Sequence, residues 1–249
     1  MMKNVAIFLL LAIIAGGVWF YLKNSGKDVY KKEEATQTPQ PSGQERKLPA
    51  GFSTKGLKEK ELDLNNDGTK ELLLTSLDAS GPHAVLVDPK DSSKAFSNIF
   101  NFPQSGFKEE FSFKSGEAPE IDQTMDLNAN GRAELVFDLK DYGAYTTTYG
   151  VVIFSAGKFD WLMLEEKDSK NRPAIFRDGA SVRNADVFKI LPTEKALVEV
   201  SGAGDNDGNW MWETSAYKWN GTKYVYDASL SAKIQAEQPK KIVNGQPVF

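Results

Sequence analysis

The chain is organised around one stretch, Asp63-Leu64-Asn65-Asn66-Asp67-Gly68-Thr69-Lys70-Glu71-Leu72-Leu73-Leu74. Oxygen-bearing side chains occupy alternate positions, Gly68 follows them, and Glu71 stands just before an apolar run. Alternate spacing in a tight loop lets every second side chain converge on one point, and the glycine permits the turn that brings the last carboxylate round. Hard oxygen ligands in that number suit calcium better than zinc or a soft metal. The stretch therefore predicts a calcium loop that leads directly into a strand.

The same loop recurs 63 residues later as Asp126-Leu127-Asn128-Ala129-Asn130-Gly131-Arg132-Ala133-Glu134-Leu135-Val136-Phe137. A third and fainter copy places Ala196-Leu197-Val198-Glu199-Val200 where the same spacing predicts a strand, whereas the preceding Leu191-Pro192-Thr193-Glu194 lacks the ligand pattern. Repeats of this length indicate supersecondary units that are stacked or arranged around an axis. Each unit here would be a small antiparallel sheet.

Short apolar runs bounded by Gly, Pro, Asp or Ser predict the strands of these units. They include Leu72-Leu73-Leu74, Ala84-Val85-Leu86-Val87, Glu134-Leu135-Val136-Phe137 and Gly150-Val151-Val152-Ile153-Phe154. Aromatic residues flank Asn220-Gly221 within residues 217–226, which predicts a hairpin with a tight turn. No long stretch after residue 22 has helical periodicity. We predict an all-β fold of about three antiparallel units of ~63 residues, arranged as a complete or incomplete β-propeller, with a curved β-sandwich as the alternative.

The two loops resemble the calcium loops of FG-GAP and VCBS-type repeats, which occur in integrin-like β-propellers and many bacterial surface proteins. That family's pattern is Asp-x-Asp/Asn-x-Asp/Asn-Gly-x-x-Asp/Glu, followed at once by an apolar strand. The resemblance covers residues 60–160 and extends faintly to about residue 227. It implies as calcium ligands Asp63, Asn65, Asp67, the Thr69 carbonyl and Glu71 in the first loop, and Asp126, Asn128, Asn130, the Arg132 carbonyl and Glu134 in the second. Propellers of this family usually have more than three blades, so three units in one chain do not imply a closed ring. The third copy lacks its acidic loop, so no third ion is implied.

A metal-free turn and an EF-hand are the two alternatives to this type of calcium loop. Asn, Asp and Gly favour turns without any metal, but a turn alone does not need the recurring Glu71 and Glu134. An EF-hand needs flanking helices and a bidentate Glu at loop position 12, where this chain has Leu74 and Phe137. The first loop has more carboxylates than the second, so we expect it to bind calcium more tightly. Asp205-Asn206-Asp207-Gly208 lacks the alternate spacing and is predicted as a solvated turn.

Composition limits the classes of function. A net charge of −4 gives no broad basic field, so no nucleic-acid partner is expected. There are no cysteines, which excludes disulfides, iron–sulfur clusters, thiolate zinc sites and cysteine nucleophiles. His83 is the only histidine and follows Ser80-Gly81-Pro82, so we predict a solvated loop histidine rather than a catalytic one.

The first 22 residues predict a membrane anchor. Residues 5–22 form an almost unbroken apolar run, which meets the lower bound of roughly 17–25 residues for a spanning helix. Trp19, Phe20 and Tyr21 stand at its far end, where aromatic rings favour the membrane interface. The alternative is a signal peptide cleaved at Ala15-Gly16-Gly17. We favour an anchor, because the apolar run continues past that site.

The remaining organisation follows from polarity and spacing. Residues 23–50 are polar and predict a flexible linker, residues 51–235 an all-β repeat domain, and residues 236–249 a C-terminal tail. Lysines after the apolar run would place the domain in the cytoplasm by the positive-inside rule. Weak calcium loops, however, fill readily only where the ion is abundant. We therefore predict a domain in the periplasm or on the cell surface.

These features predict a non-catalytic, membrane-anchored module that binds a protein or polysaccharide partner. An aromatic surface is one candidate binding site, although such residues also fill cores. The residues in question are Trp210, Trp212, Tyr142 and Tyr145. Two alternatives remain open. One is a structural subunit of a larger membrane complex, with small residues of the span lining the helix contact. The other is a calcium-assisted enzyme acting on polysaccharide, for which spacing nominates no carboxylate pair.

Overall fold

A computed structural model describes residues 47–64, 68–102, 117–128, 133–142, 146–181, 183–243 and 246–249. These ranges hold eighteen β-strands and one α-helix, which confirms the predicted all-β class. No helix in them is long and apolar enough to cross a membrane. The predicted span at residues 5–22 and most of the predicted linker lie outside the described residues.

Residues 47–142 and 149–162, where described, form one compact unit, called here the N-terminal unit. Its strands are β1 (Lys58–Leu62), β2 (Glu71–Asp78), β3 (Gly81–Asp88), β4 (Asp91–Ala95), β5 (Phe100–Asn101), β6 (Glu120–Met125), β7 (Glu134–Tyr142), the greater part of β8 (Thr146–Ser155) and β9 (Lys158–Trp161). They form two meanders in which chain neighbours are hydrogen-bonded, β1-β2-β3-β4 and β6-β7-β8-β9. The short β5 pairs with β3.

The apolar runs of β2 and β3 are buried on both faces of their sheet, as near-continuous hydrophobic strands usually are. Leu74 and Val85 pack on one face against Phe52. Leu73 and Leu86 pack on the other face in a core that also holds side chains of the second meander. That shared core contains Leu62, Leu64, Leu73, Ala84, Leu86, Phe100, Phe102, Ala133, Leu135, Phe137, Leu139, Val152 and Phe159.

Residues 163–249, together with 146–148, form a second compact unit, the C-terminal unit. Its elements are β10 (Met163–Glu165), β11 (Asn171–Pro173), β12 (Ile175–Ala180), β13 (Asn184–Leu191), β14 (Ala196–Gly204), β15 (Trp210–Trp219), β16 (Tyr224–Tyr226), the helix α1 (Ala228–Ala236), β17 (Lys241–Val243) and β18 (Gln246–Val248). The strand order is β11-β10-β16-β15-β14-β13-β12, and β10 runs parallel to β16. Helix α1 packs on β15 and contributes Ile234 to the core.

The strands recur at the spacing that the sequence repeat predicts. A third meander, β13-β14-β15-β16, has its second strand at Ala196–Gly204, where the faint third copy predicts one. The segment before that strand is a short turn, in which the Lys195 amide donates to the Pro192 carbonyl over 3.0 Å. The third copy thus keeps the strands and replaces the acidic loop with a turn.

The predicted hairpin is present as β15 and β16, and its turn is longer than two residues. Trp219 pairs with Tyr224, so four residues connect the strands. Gly221 alone takes a positive φ, of 104°. The Asn220 side-chain oxygen accepts from the amides of Thr222 and Lys223, each over 3.0 Å. An Asn side chain that bonds its own backbone closes the turn without needing a positive φ itself.

Both ends of the described region are more structured than the domain limits of the sequence analysis suggest. Leu48 already packs against the cluster of the N-terminal unit that contains Phe52, Leu74 and Val85. Residues 236–249, predicted as a tail, include the antiparallel hairpin β17–β18. Two backbone hydrogen bonds join this hairpin to the start of β15: Trp210 donates to Lys240 over 2.9 Å, and Ile242 donates to Gly208 over 2.8 Å.

Candidate functional site

The first acidic loop connects β1 to β2 in the N-terminal unit. Asp63 follows β1, Glu71 is the first residue of β2, and the buried Leu64 fixes the loop to the core. The Leu64 amide donates to Oε2 of Glu71 over 3.0 Å, and the Gly68 amide donates to Oδ2 of Asp63 over 2.9 Å. Gly68 has a φ of +82°, a conformation that favours glycine. The closing carboxylate is thereby drawn back to the beginning of the loop.

The second acidic loop connects β6 to β7 and has the same local structure. Asp126 follows β6 and Glu134 is the first residue of β7. The Leu127 amide donates to Oε2 of Glu134 over 2.8 Å, which is the counterpart of the Leu64–Glu71 bond 63 residues earlier. The Asn128 side-chain nitrogen donates to Oε1 of Glu134. The repeat therefore extends to an individual hydrogen bond, from the second loop residue to the closing glutamate.

The second loop keeps its closing carboxylate away from water. Glu134 is 2% exposed and Asn128 6%. Burial raises the pKa of Glu134 to about 7; the Leu127 amide opposes the shift, and the nearby Asp126 charge adds to it. A cation beside these two acids would favour their ionised forms. Carboxylate and amide oxygens are ligands that calcium accepts, so the described residues of this loop fit such an ion.

Four of the ten predicted ligands, Asn65, Asp67, Asn130 and Arg132, lie outside the described residues. Thr69 is described and exposed. In the part of the chain that the structure covers, no group of three or more His, Cys, Asp or Glu side chains is close enough to hold a metal ion. The positions that an EF-hand would require for its last ligand are fully buried strand positions, Leu74 in β2 and Phe137 in β7.

The candidate aromatic surface lies partly in the core of the C-terminal unit. Trp210 and Trp212 stack with ring centroids 5.1 Å apart on one face of β15. Each indole lies over a glycine directly opposite on β14, Gly204 and Gly202 respectively. Indole Nε1 of Trp212 donates to the Pro239 carbonyl over 2.6 Å, and both rings pack against the core. These contacts favour a packing role for the pair.

Of the other two candidate aromatic residues, the structure describes the strand position of Tyr142. Tyr142 is the last residue of β7, and Tyr145 lies outside the described residues.

The turn at Asp205–Gly208 is closed locally, because the Asp205 carboxylate accepts from the amides of Asp207 and Asn209 over 2.8 and 2.9 Å.

A half-buried ion network in the C-terminal unit was not predicted from the sequence. Arg172 donates to Oε2 of Glu199 over 2.9 Å, to the Tyr217 hydroxyl over 3.1 Å and to Glu166. The Tyr217 hydroxyl in turn donates to Oε2 of Glu166 over 2.9 Å. Burial raises the pKa of Glu199, although the Arg172 charge opposes the shift. The two carboxylates share one guanidinium, so the network is an ion-pair cluster rather than a carboxylate pair available for acid–base chemistry.

The prediction of a solvated His83 is wrong. His83 lies in β3, is 7% exposed, and its Nδ1 is 2.7 Å from Oδ1 of Asn101. Its Nε2 is 3.0 Å from Oδ1 of Asp78 and 3.1 Å from the Ser80 hydroxyl. That hydroxyl donates to Asp78 over 2.6 Å, and bonds from Ser80 and His83 hold the pKa of Asp78 well below its usual range. A carboxylate so stabilised is a weak base, so the cluster does not activate Ser80 as a nucleophile.

Comparison with known proteins finds no matching family model, no matching curated protein and no matching solved structure. The resemblance to FG-GAP and VCBS-type repeats therefore rests on the loop residues and on the repeat that carries them.

Proposed function

We propose that the protein is a membrane-anchored, extracytoplasmic β-repeat module of the FG-GAP and VCBS type, which binds a protein or polysaccharide partner and is stabilised by calcium in its two acidic loops. The observation that carries the proposal is the recurring hydrogen bond from Leu64 to Glu71 and from Leu127 to Glu134. A turn needs no such bond. The recurrence of this bond in both loops supports the same role, that of a calcium ligand, for Glu71 and Glu134.

In this proposal the ion is held by the carboxylates of Asp63 and Glu71 in the first loop and of Asp126 and Glu134 in the second, with the other family-type ligands between them. Each loop joins the first two strands of a four-stranded meander. Neutralising the acids of a loop would therefore stiffen the connection within one repeat. The three meanders support blade-like units, and we propose a propeller-like arrangement for them.

The extracytoplasmic location is proposed from the apolar run at residues 5–22, the polar linker that follows and the abundance of calcium outside cells. The linker gives the domain reach, because the dimensions of a flexible chain grow roughly as the square root of its length. The partner would then bind at some distance from the bilayer.

Calcium titration calorimetry of the full-length chain in mild detergent tests the metal sites. We expect two ions per chain, one lost in Glu71→Gln and the other in Glu134→Gln. Asp160→Asn is the control, since it removes an exposed carboxylate of the N-terminal unit that lies outside both loops and forms an ion pair with Lys158 over 3.1 Å. Binding that is absent from the wild type, or unchanged in both glutamine variants, would refute the calcium assignment.

Protease accessibility tests the location separately. Protease added outside intact bacterial cells or spheroplasts should digest the repeat domain of the expressed chain. A domain that is cleaved only after lysis of the inner membrane would place it in the cytoplasm and overturn that part of the proposal.

A further inference from the structure

The last strand of the first meander, β4, carries exposed lysine and aromatic side chains. Lys90 precedes β4, Lys94 lies in it, and Phe96 follows it; all three are exposed, Phe96 by 44%. Phe96 comes two residues after Lys94, a spacing that puts side chains on one side of an extended chain. Lysines beside a large apolar ring are typical of segments that lie on a membrane surface.

The segment that leads into the fold is fixed at the same strand. The Ser92 hydroxyl of β4 donates to the Lys47 carbonyl over 2.8 Å. Lys47 is exposed and is the first residue that the structure describes. The polar linker at residues 23–46 therefore joins the fold beside β4.

Positive charge predominates at this place. Bonds from Ser93 lower the pKa of Asp91, and the charges of Lys94 and Lys47 lower it further, so both ammonium groups lie near that carboxylate. Asp88 and Asp91 each accept from the backbone amide two residues later. Three lysines exceed these two acids, whereas the whole chain has a net charge of −4. An anionic surface therefore attracts this part of the domain more than the rest of it.

We propose that this surface, called here the β4 edge and made of Lys47, Lys90, Lys94 and Phe96, docks on a bilayer of anionic phospholipid. The lysines contact the headgroups, and the Phe96 ring enters the interface. Docking in this form rests on the membrane anchor proposed above, and it identifies the surface of the domain that meets the bilayer.

The anchor makes a weak contact effective. Three lysines and one ring bind a bilayer weakly by themselves, because stable attachment needs more than one signal. The linker at residues 23–46 makes docking an intramolecular event, with an effective concentration on the order of millimolar for a short flexible chain. Contact of this strength is reversible, so the domain still reaches partners away from the bilayer.

A fluorophore at a single cysteine tests the docking, because the chain has no cysteine of its own. Ala95→Cys, at an exposed position of β4, keeps the lysines and Phe96 and carries an environment-sensitive label. In the full-length chain reconstituted into vesicles, replacing part of the phosphatidylcholine by phosphatidylglycerol should shift the emission to shorter wavelengths and reduce quenching by acrylamide. Raising the salt concentration should reverse both changes, since salt screens exposed charges.

Two controls test whether the contact belongs to the β4 edge. A label at Glu59→Cys, exposed on β1 at the opposite end of the strand order, should emit alike in both bilayers. Replacing the three lysines of the β4 edge by glutamine should abolish the shift at residue 95. The charge-matched variant, which should keep the shift, replaces three exposed lysines of the C-terminal unit, Lys167, Lys218 and Lys233. Emission at residue 95 that is independent of lipid charge would overturn the proposal.

The anchor and the docking fail in different ways. A chain that alkaline carbonate removes from the vesicles has no anchor, which refutes membrane attachment in the proposed function and the docking with it. A chain that stays in the vesicles without a lipid-dependent shift refutes the docking alone. Neither result alters the calcium titration, which decides the metal sites independently.

Discussion

Gly202 lies directly under an aromatic ring. It pairs with Trp212 across β14 and β15, and a β-carbon at residue 202 would lie 2.3 Å from an atom of the indole. Gly202→Ala therefore forces the ring or the strand to move, and overpacking of this kind costs about 1–3 kcal/mol. Denaturant unfolding monitored by tryptophan fluorescence measures the loss.

Ala203→Ser serves as the control for that substitution, because residue 203 is the exposed neighbour on the same strand. We expect a change within about 0.5 kcal/mol. Unaltered stability of Gly202→Ala would show that the indole does not depend on the bare backbone beneath it.

Arg172 is the central residue of the half-buried ion network. Arg172→Met leaves Glu166 and Glu199 without their shared cation, and we expect a loss of about 2–4 kcal/mol in the free energy of unfolding. This is near the range for broken buried pairs, reduced because the side chains are 29% exposed. Lys170→Met breaks the exposed pair with Asp168 and should leave the free energy of unfolding close to that of the wild type. Equal losses in the two variants would contradict a structural role for the network.

Single residues differ in how far the sequence reveals them. The alternating oxygen-bearing residues, Gly68 and the closing Glu71 are local features of the sequence, so spacing alone identifies them. The partners of Arg172 are distant along the chain and meet only through strand pairing. His83 was misjudged because Ser80-Gly81-Pro82 resembles a turn, whereas Gly81 already begins β3. The local sequence pattern does not show at which residue a turn ends and the next strand begins.

At the scale of elements, α1 depends on its N-cap. The Asp227 carboxylate accepts from the Leu230 amide over 2.8 Å, which satisfies one of the otherwise unpaired donors of the first turn. Asp227→Ala should cost about 1 kcal/mol, whereas Asp227→Asn keeps a capping oxygen and should cost less. Hydrogen exchange of the α1 amides measures the effect where it arises. Identical exchange in the alanine and asparagine variants would refute the capping role.

The strands were more predictable than α1. Apolar runs mark β2, β3, β7 and β14, because those strands are buried along most of their length. Helix α1 has nine residues and buries only Ser231 and Ile234, so it has no apolar stripe for periodicity to detect. An Asp before a helix-forming stretch was the available signal. The hairpin β17–β18 is too short for its pattern to be distinguished from a tail.

For the whole molecule, the repeat predicts the meanders but not what lies between them. Strands β10, β11 and β12 follow the second meander, whereas β5 is the strand described after the first meander. The parallel pairing of β10 with β16 joins segments far apart in the chain. Such pairing depends on which edges meet, and a repeat spacing carries no information about that.

The claim most in need of a test is that calcium in the two loops stabilises the repeat fold. Thermal unfolding of the full-length chain should be compared in calcium at about a hundred times its dissociation constant and in excess chelator. One site filled to that extent adds about 2.7 kcal/mol, which raises the melting temperature by several degrees. The shift should largely disappear when Glu71→Gln and Glu134→Gln are combined. A wild-type melting temperature that chelator leaves unchanged, with no ion co-purifying, would mean that the loops are turns and would contradict the account.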